Sequence, residues 1–307
     1  MIVVAGDALV DLIVRPGGEL VPVRGGGSYN SARAIGRLGV PVSWFGGLSD
    51  DHFGRWLEAG LADDGVGLSL AQRTHLPTTL ALAELDEGGA ASYRFYVDGT
   101  AAPALEAPSG AVALPAGTRA VHVGTLGFVL EPMALTLEAF VASLPRDVLL
   151  MVDPNCRPSI TRDPAAYRAR ITRVLARADV VKVSTDDLAY LVPGETLEAA
   201  AEWVEAMGPR VVLVTDGGQP VRVRIRGRVH QVETPRIEVV DTIGAGDTFG
   251  GAFLAALVHD DARGRDAAQD EDAVLRAARF AVHASAIVCG RAGAEPPRLA
   301  ELGGWPG

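Results

Sequence analysis

The sequence predicts an α/β fold: a doubly wound, mostly parallel sheet flanked by helices, with a small β lid. Short runs rich in Val, Ile and Leu recur at 2–5, 42–45, 120–123, 148–152, 180–183 and 211–215. They are continuously apolar, as parallel strands buried on both faces are. Between them lie stretches with helical spacing, at 31–38, 53–63, 132–144, 165–178 and 197–207, so strand and helix alternate. Two segments break that rhythm, 12–25 and 77–99, the second with Glu-Gly-Gly at 87–89 between two partly alternating runs, a hairpin signal. They predict strands outside the main sheet, a lid over its carboxyl edge, where open α/β sheets bind ligands.

Each element has its place in this scheme. The run at 2–5 opens the sheet, and the excursion at 12–25 leaves it before the helix at 31–38 returns the chain to the strand at 42–45. Helix 53–63 precedes the second excursion, after which three strand–helix units follow to 207. Two long helical stretches, 248–259 and 272–289, close the chain. The charge-rich stretch 259–272 between them reads as a solvated connector. The whole of 1–307 is thus read as one domain, with no repeat at a period of 20–50 residues.

Composition excludes several classes. With 48% apolar and 21% charged residues the chain buries a substantial core. Its 36 glycines and 19 prolines fall below the roughly 25–30% share of low-complexity chains. A net charge of −10, without a local basic patch, excludes nucleic acid and anionic membranes as partners. The two cysteines, Cys156 and Cys289, have neither CxxC spacing nor paired histidines. No zinc site or disulfide framework is implied, and the expected compartment is the reducing cytoplasm. Asp7 and Asp11 interrupt the apolar start, which argues against a secretory signal, and no run approaches the roughly 20 apolar residues of a membrane helix. Lys182 is the only lysine and no GxxxxGK[ST] surrounds it, so a Walker-type phosphate loop is absent. Gly6 is followed by DALVDL and not by GxGxxG, so the dinucleotide fingerprint is absent too.

The most informative segment is 239–257, VVDTIGAGDTFGGAFLAAL: a glycine turn at Gly244, Ala245 and Gly246, then Asp247 opening an apolar helix. Four unpaired amides and the positive end of the helix dipole make such a turn an anion site. A carboxylate there can also accept the proton of an attacking hydroxyl, an effect worth roughly 10²–10⁴-fold. The alternative is a simple helix cap. Against it stand Gly250 and Gly251 inside the helix, each costing roughly 1 kcal/mol unless something approaches closely.

The chain resembles the PfkB family of carbohydrate kinases, the ribokinase-like group, essentially throughout. Asp241, Thr242, Gly244, Ala245, Gly246, Asp247, Gly251, Ala252, Phe253 and Leu254 match its C-terminal signature. The resemblance implies that Asp247 is the catalytic base and that Gly244 to Gly246 form an anion hole for the γ-phosphate of ATP. An N-terminal signature resembles RGGGSYNSARAIGRLG, with Gly26, Gly27 and Asn30 implied to contact sugar hydroxyls and Asp11 upstream. A carboxylate and an amide each bond vicinal hydroxyls through more than one atom, which suits a polyol; capping is the alternative for Asn30. That signature reaches Ser49 where the family usually has glycine, while Asp50, Asp51 and Gly54 keep its GDDxxG pattern.

On the nucleotide side the resemblance implies that Thr215, Gly217 and Gly218 lie beside phosphates or ribose, with Pro220 replacing a usual glycine. The helix through Phe280, Val282 and Ser285 would wall the adenine, or be plain core. The family's NxxE motif, which organises Mg²⁺ through water, is SxxD here, Ser184 to Asp187. Asp187 would serve at outer-sphere distance; the alternative is that Ser184 and Thr185 cap the next helix. A monovalent cation, K⁺, near Asp241 and Ile243 is also implied.

DPNCRP, 153–158, resembles fructokinases and ketodeoxygluconate kinases, with Arg157 on substrate or phosphates or else paired with Asp153 or a neighbour. Val97, then Asp98, follow the tyrosine where those relatives commonly carry an arginine, so a sugar acid would lose its fork-shaped partner. Fructokinases often carry that arginine as well, so the departure counts against fructose too unless Arg94 substitutes. The reading is an ATP-dependent kinase of fructose or a related sugar. Ribose, a nucleoside or 2-keto-3-deoxygluconate are the other acceptors weighed, and a non-catalytic sugar or nucleotide sensor is the alternative of another class. Edge strands on the lid would let two chains pair as a homodimer.

Overall fold

The computed structural model describes residues 1–15, 17–85, 91–106, 112–259 and 264–306. In chain order the strands are β1 (Ile2–Ala5), β2 (Leu9–Val14), β3 (Leu20–Gly25), β4 (Val42–Phe45), β5 (Gly47–Ser49), β6 (Val66–Gly67), β7 (Gln72–Thr74), β8 (Leu80–Leu85), β9 (Ala91–Tyr96), β10 (Ala120–Gly124), β11 (Leu149–Asp153), β12 (Val180–Ser184), β13 (Val211–Thr215), β14 (Val221–Ile225) and β15 (Arg228–Val232). The helices are α1 (Gly27–Arg37), α2 (His52–Asp63), α3 (Met133–Ser143), α4 (Pro164–Leu175), α5 (Thr185–Leu191), α6 (Leu197–Ala206), α7 (Ala245–Val258) and α8 (Glu271–Cys289).

Among the described residues the main sheet has nine strands in the order β15-β14-β13-β12-β11-β10-β1-β4-β6. From β6 to β13 neighbours run parallel. Successive side chains of a strand point to opposite faces, so β1 feeds two cores. Ile2 and Val4 pack with Tyr29, Leu57, Phe253 and Val274 of α1, α2, α7 and α8. Val3 and Ala5 pack with Leu137, Ile171, Leu188 and Val204 of α3, α4, α5 and α6. Helices on both faces are why the parallel strands read as unbroken apolar runs.

A separate four-stranded sheet, β3-β2-β8-β9, is built from the two expected excursions; the Glu-Gly-Gly turn expected at 87–89 lies outside the described residues. β2 pairs antiparallel with β3 and parallel with β8, and β8 antiparallel with β9.

The β14–β15 hairpin is not foreseen by the sequence reading. Arginine alternates with valine in β14, and Arg224 is buried against α6, where it pairs with Glu198 and Glu205. Arg226 and Gly227 turn the hairpin with φ of 50° and 77°, the positive values that a tight two-residue turn needs. The connector expected to be solvated is also corrected. Its described part forms a short 3₁₀ turn at Gly264–Gln269, with Ala267 and Ala268 buried and Arg265 paired with buried Asp179. Two alanines bury at no polar cost, and the arginine finds a carboxylate.

α1 begins at Gly27, earlier than expected, and packs against α7. A side chain on Gly251 of α7 would place its Cβ 2.8 Å from the Ser31 carbonyl oxygen and 3.0 Å from Ala34 Cβ. That close approach accounts for one of the two glycines inside α7. No helix among the described residues is long and apolar enough to cross a membrane, and both cysteines are free.

Gly251→Val is expected to force α1 and α7 apart and to destabilise the protein by about 1–3 kcal/mol, read as a lower denaturant midpoint. An unchanged midpoint would show that the helices do not depend on this contact.

Candidate active site

The carboxyl ends of the parallel strands and the inner face of the small sheet enclose a cavity of about 460 Å³. Its wall includes Asp7, Asp11, Gly26, Gly27, Asn30, Asn155, Arg157, Lys182, Gly244, Gly246 and Asp247, with Tyr93 and Phe95 contributed by β9. Residues far apart in sequence meet because β1, β10, β11 and β12 all end there and two helices begin there.

The first of those helices is α1. Gly26 precedes it with φ 103°, and a Cβ at that position would lie 2.6 Å from the Asp7 carbonyl oxygen. The Asp7 carboxylate then accepts from the Gly27 N–H and the Ser28 hydroxyl, each at 3.2 Å. A Cβ on Gly27 would sit 2.3 Å from Thr125 Oγ1 and 3.1 Å from Asp247 Oδ1, so glycine there keeps the centre of the cavity open. Asn30, one turn on, aims its amide across the cavity.

The second helix is α7. Gly244 precedes it with φ 74°, a left-handed conformation in which glycine carries no Cβ penalty, and a Cβ there would meet that of Ala294 at 2.5 Å. The expectation of four open amides is corrected. The Ala245 N–H donates to the Thr242 carbonyl and the Thr248 N–H to the Gly244 carbonyl. The amides of Gly244, Gly246 and Asp247 have no acceptor among the described residues, and they lie at the positive end of the helix dipole. Behind the turn, the Asp241 carboxylate accepts from the Ile243 and Gly293 amides at 3.0 and 2.8 Å.

Asp247 occupies the middle. Its Oδ2 accepts from Asn30 Nδ2 at 2.9 Å, its Oδ1 from Asn155 Nδ2 at 3.4 Å, and its backbone carbonyl from the Ser31 hydroxyl at 3.1 Å. Burial pushes its carboxyl up to about 7, and nearby Asp153 adds to the rise, while the Asn30 hydrogen bond, Lys182 and Arg157 oppose it. Asp11, nine-tenths buried on β2, is likewise raised to about 7, by burial first and then by Asp247 and Asp7. Its carboxylate makes no hydrogen bond among the described residues. It is an acceptor left open to the cavity.

Thr125 and Asn155 carry φ of 55° and 40°, unusual for residues with a Cβ and concentrated where chemistry is done. Arg157 bends back so that one guanidinium nitrogen donates to the Asn155 carbonyl and side-chain oxygens at 3.0 and 2.6 Å. The expected pairing of Arg157 with Asp153 is not formed: Asp153 Oδ2 accepts from Lys182 Nζ at 3.0 Å.

Other expected residues lie outside this cavity. Ser184 caps α5, and Asp187 closes a capping box. One oxygen of Asp187 accepts from the Ser184 amide and hydroxyl, both at 2.7 Å, and the other from the Cys156 amide at 2.6 Å. Thr215 ends β13 beside Ser184, and Gly217 and Gly218 follow in an open turn. Ser285 donates to the Ala245 carbonyl at 3.0 Å and so braces the start of α7. Val282 is buried in the core, where the apolar face of α8 packs. Ala245 stands in the turn with its carbonyl toward α8.

Asp7, Thr125, Asn155, Lys182, Tyr93 and Phe95 line the cavity although the sequence reading assigned them no role. Asn155 stands inside the segment used for its resemblance, and Lys182 was noticed only for its isolation. The aromatic pair at i, i+2 in β9 puts both rings on one face, stacked 6.2 Å apart.

The chain is similar to known proteins over most of its length. A family model described as pfkB family carbohydrate kinase matches residues 1–300. A fructokinase of Rhizobium leguminosarum bv. trifolii is 35% identical over 268 residues, covering 85% of this chain and 80% of its own. The structure of a fructokinase from Xylella fastidiosa with bound ATP superposes with a TM-score of 0.85 at 28% identity, over 98% of this chain and 96% of that one. A double mutant of the Vibrio cholerae O395 fructokinase, in fructose, ADP and potassium ion bound form, gives 0.85 at 25% identity, over 100% and 98%. With its two signatures drawn into one cavity beneath a small second sheet, the chain belongs to the pfkB family of carbohydrate kinases.

Proposed function

We propose that this protein is an ATP-dependent fructokinase that transfers the γ-phosphoryl group to a sugar hydroxyl, with Asp247 as the base. The observation that carries the reading is the Asp247 carboxylate, held by Asn30 at 2.9 Å beside the open amides that begin α7. The fructokinases bound to ATP, or to fructose with ADP, support the choice of substrates.

In this reading Asp11 and Asn30 bind adjacent sugar hydroxyls, while Gly26 and Gly27 let the ring approach the backbone. The Tyr93 and Phe95 rings cover its apolar edge. Asp247 accepts the proton of the attacking hydroxyl as the oxygen bonds to phosphorus and the bond to the ADP oxygen breaks. The amides of Gly244 and Gly246 donate to the phosphoryl oxygens, with Ala245 completing the turn, and Arg157 faces them. Thr215, Gly217, Gly218 and the Ser184–Thr185 corner form the strip where the nucleotide lies. Closure of the small sheet as a lid over the sugar excludes water and so prevents wasteful hydrolysis.

No cluster of metal ligands exists among the described residues, and both Asp187 oxygens are engaged. Such a donor set fits a hydrated Mg²⁺ carried on the phosphates and reached by Asp187 through water, not a protein cage. When bound, that ion neutralises phosphate charge. K⁺ behind the turn, near Asp241 and Ile243, is supported by the potassium-bound relative. A cytoplasmic location fits this reading, since free cysteines suit a reducing compartment. Homodimers form through the edge strands of the small sheet, which expose Leu20 and Tyr96.

Fructose is favoured because fructokinases 35% and 32% identical to this chain match most of its length and a fructokinase of the same fold is solved with fructose bound. An ADP-release assay with ATP, Mg²⁺ and a panel of sugars tests this choice. Fructose should lead, with 2-keto-3-deoxygluconate, ribose and nucleosides far behind. Sugar binding without ADP release would indicate a sensor.

Asp247→Asn should keep sugar and ATP binding and lose at least about 100-fold in kcat; near-normal turnover contradicts the role. Because a carboxyl raised to about 7 is protonated below that pH, kcat/KM should fall as pH drops through 7, by about tenfold per unit. Asn30→Ala removes a hydrogen bond to the ionised form, so the same limb should move to higher pH; a limb that stays in place assigns it to another group.

A further inference from the structure

We infer that the Lys182 ammonium is a catalytic cation, donating from beneath the α7 turn to the transferring phosphoryl group. The inference rests on the kinase reading and adds a residue to it. Of 28 basic residues only this one is lysine. Its position explains why. Lys182 is 4% exposed on β12, and a Cβ on Gly246 would lie 3.0 Å from its Nζ. An arginine's planar fork is broader than that gap admits, whereas an ammonium is a compact point charge with three rotatable donors.

One donor goes to Asp153 Oδ2 at 3.0 Å; the other two have no acceptor among the described residues. They belong to a buried group that lines the same cavity as Asp247, Gly244 and Gly246. An unsatisfied buried ammonium is costly, and an anionic oxygen in front of the turn satisfies it. Burial alone would discharge Lys182, yet Asp153 first, then Asp187 and Asp247, hold it protonated. Facing it, buried His122 on β10 is pushed down to about 4 by burial and by Lys182 itself, so it stays neutral and does not compete for the anion. The lysine keeps its proton throughout transfer. Its charge strengthens as a partner while negative charge accumulates on the phosphoryl oxygens, as preorganised donors do.

The test uses Lys182→Met combined with Asp153→Asn, so that no unpaired charge stays buried. Wild type is run in parallel. The double variant should fold and bind fructose and ADP within about threefold of wild type, yet lose about 100-fold or more in kcat. It should also lose the tightening that aluminium fluoride gives the ADP–fructose complex, since that probe mimics the phosphoryl group in transit. A purely structural lysine would leave that tightening intact. Retained tightening, or kcat within about fivefold of wild type, overturns the inference. If the double variant does not fold, Lys182→Met alone is measured for the same two quantities. A wild type that turns over no sugar would instead sink the kinase reading itself.

Discussion

The hydrogen bond from Asn30 to Asp247 joins the starts of two helices that are 217 residues apart in the chain. Everything at the site follows from that meeting. For it to form, α1 and α7 must approach more closely than ordinary side chains allow, and Gly251 against Ser31 and Ala34 provides the space. The approach in turn requires glycine at 26, 27 and 244, where a Cβ would strike a carbonyl oxygen, a threonine hydroxyl or Ala294. Packing therefore decides where the acid sits, and the acid's surroundings decide its chemistry.

Those surroundings are dry and crowded with carboxylates. Asp7, Asp11, Asp153 and Asp247 lie close together, and burial raises all four. A carboxylate in water is a weak base. One raised toward neutrality matches its proton affinity to the working pH while hydrogen bonds from Asn30 and Asn155 keep it aimed. Lys182 and Arg157 balance the cluster from two sides, which lets so many acids share one cavity. The same acidic lining suits a neutral polyol better than a second anion.

Much of the fold was legible because burial on both faces leaves a plain mark: the unbroken runs at β1, β4, β10, β12 and β13 were found where they stand. The β14–β15 hairpin was not, because its polar face carries Arg224, whose burial depends on acids of α6 that no local pattern reveals. In the same way Ala267 and Ala268 vanished among the charges of their segment. At the site, the glycine turn and Asp247 stood out since glycines inside a helix need a reason. Asp7, Thr125 and Asn155 did not. Their importance lies in left-handed backbone and in contacts across strand ends, which only the assembled sheet brings about. Lys182 was conspicuous as the sole lysine, yet only its place under Gly246 gave that fact a meaning.

The most direct measurement is the titration of the Asp247 carboxyl itself. With ¹³C-labelled aspartate and the Asp247→Asn spectrum to assign the resonance, its chemical shift should move with a midpoint near 7. A midpoint at the ordinary aspartate value of about 4 would mean that the carboxylate is well solvated. The packing of α1 on α7 would then not create the base on which this account depends.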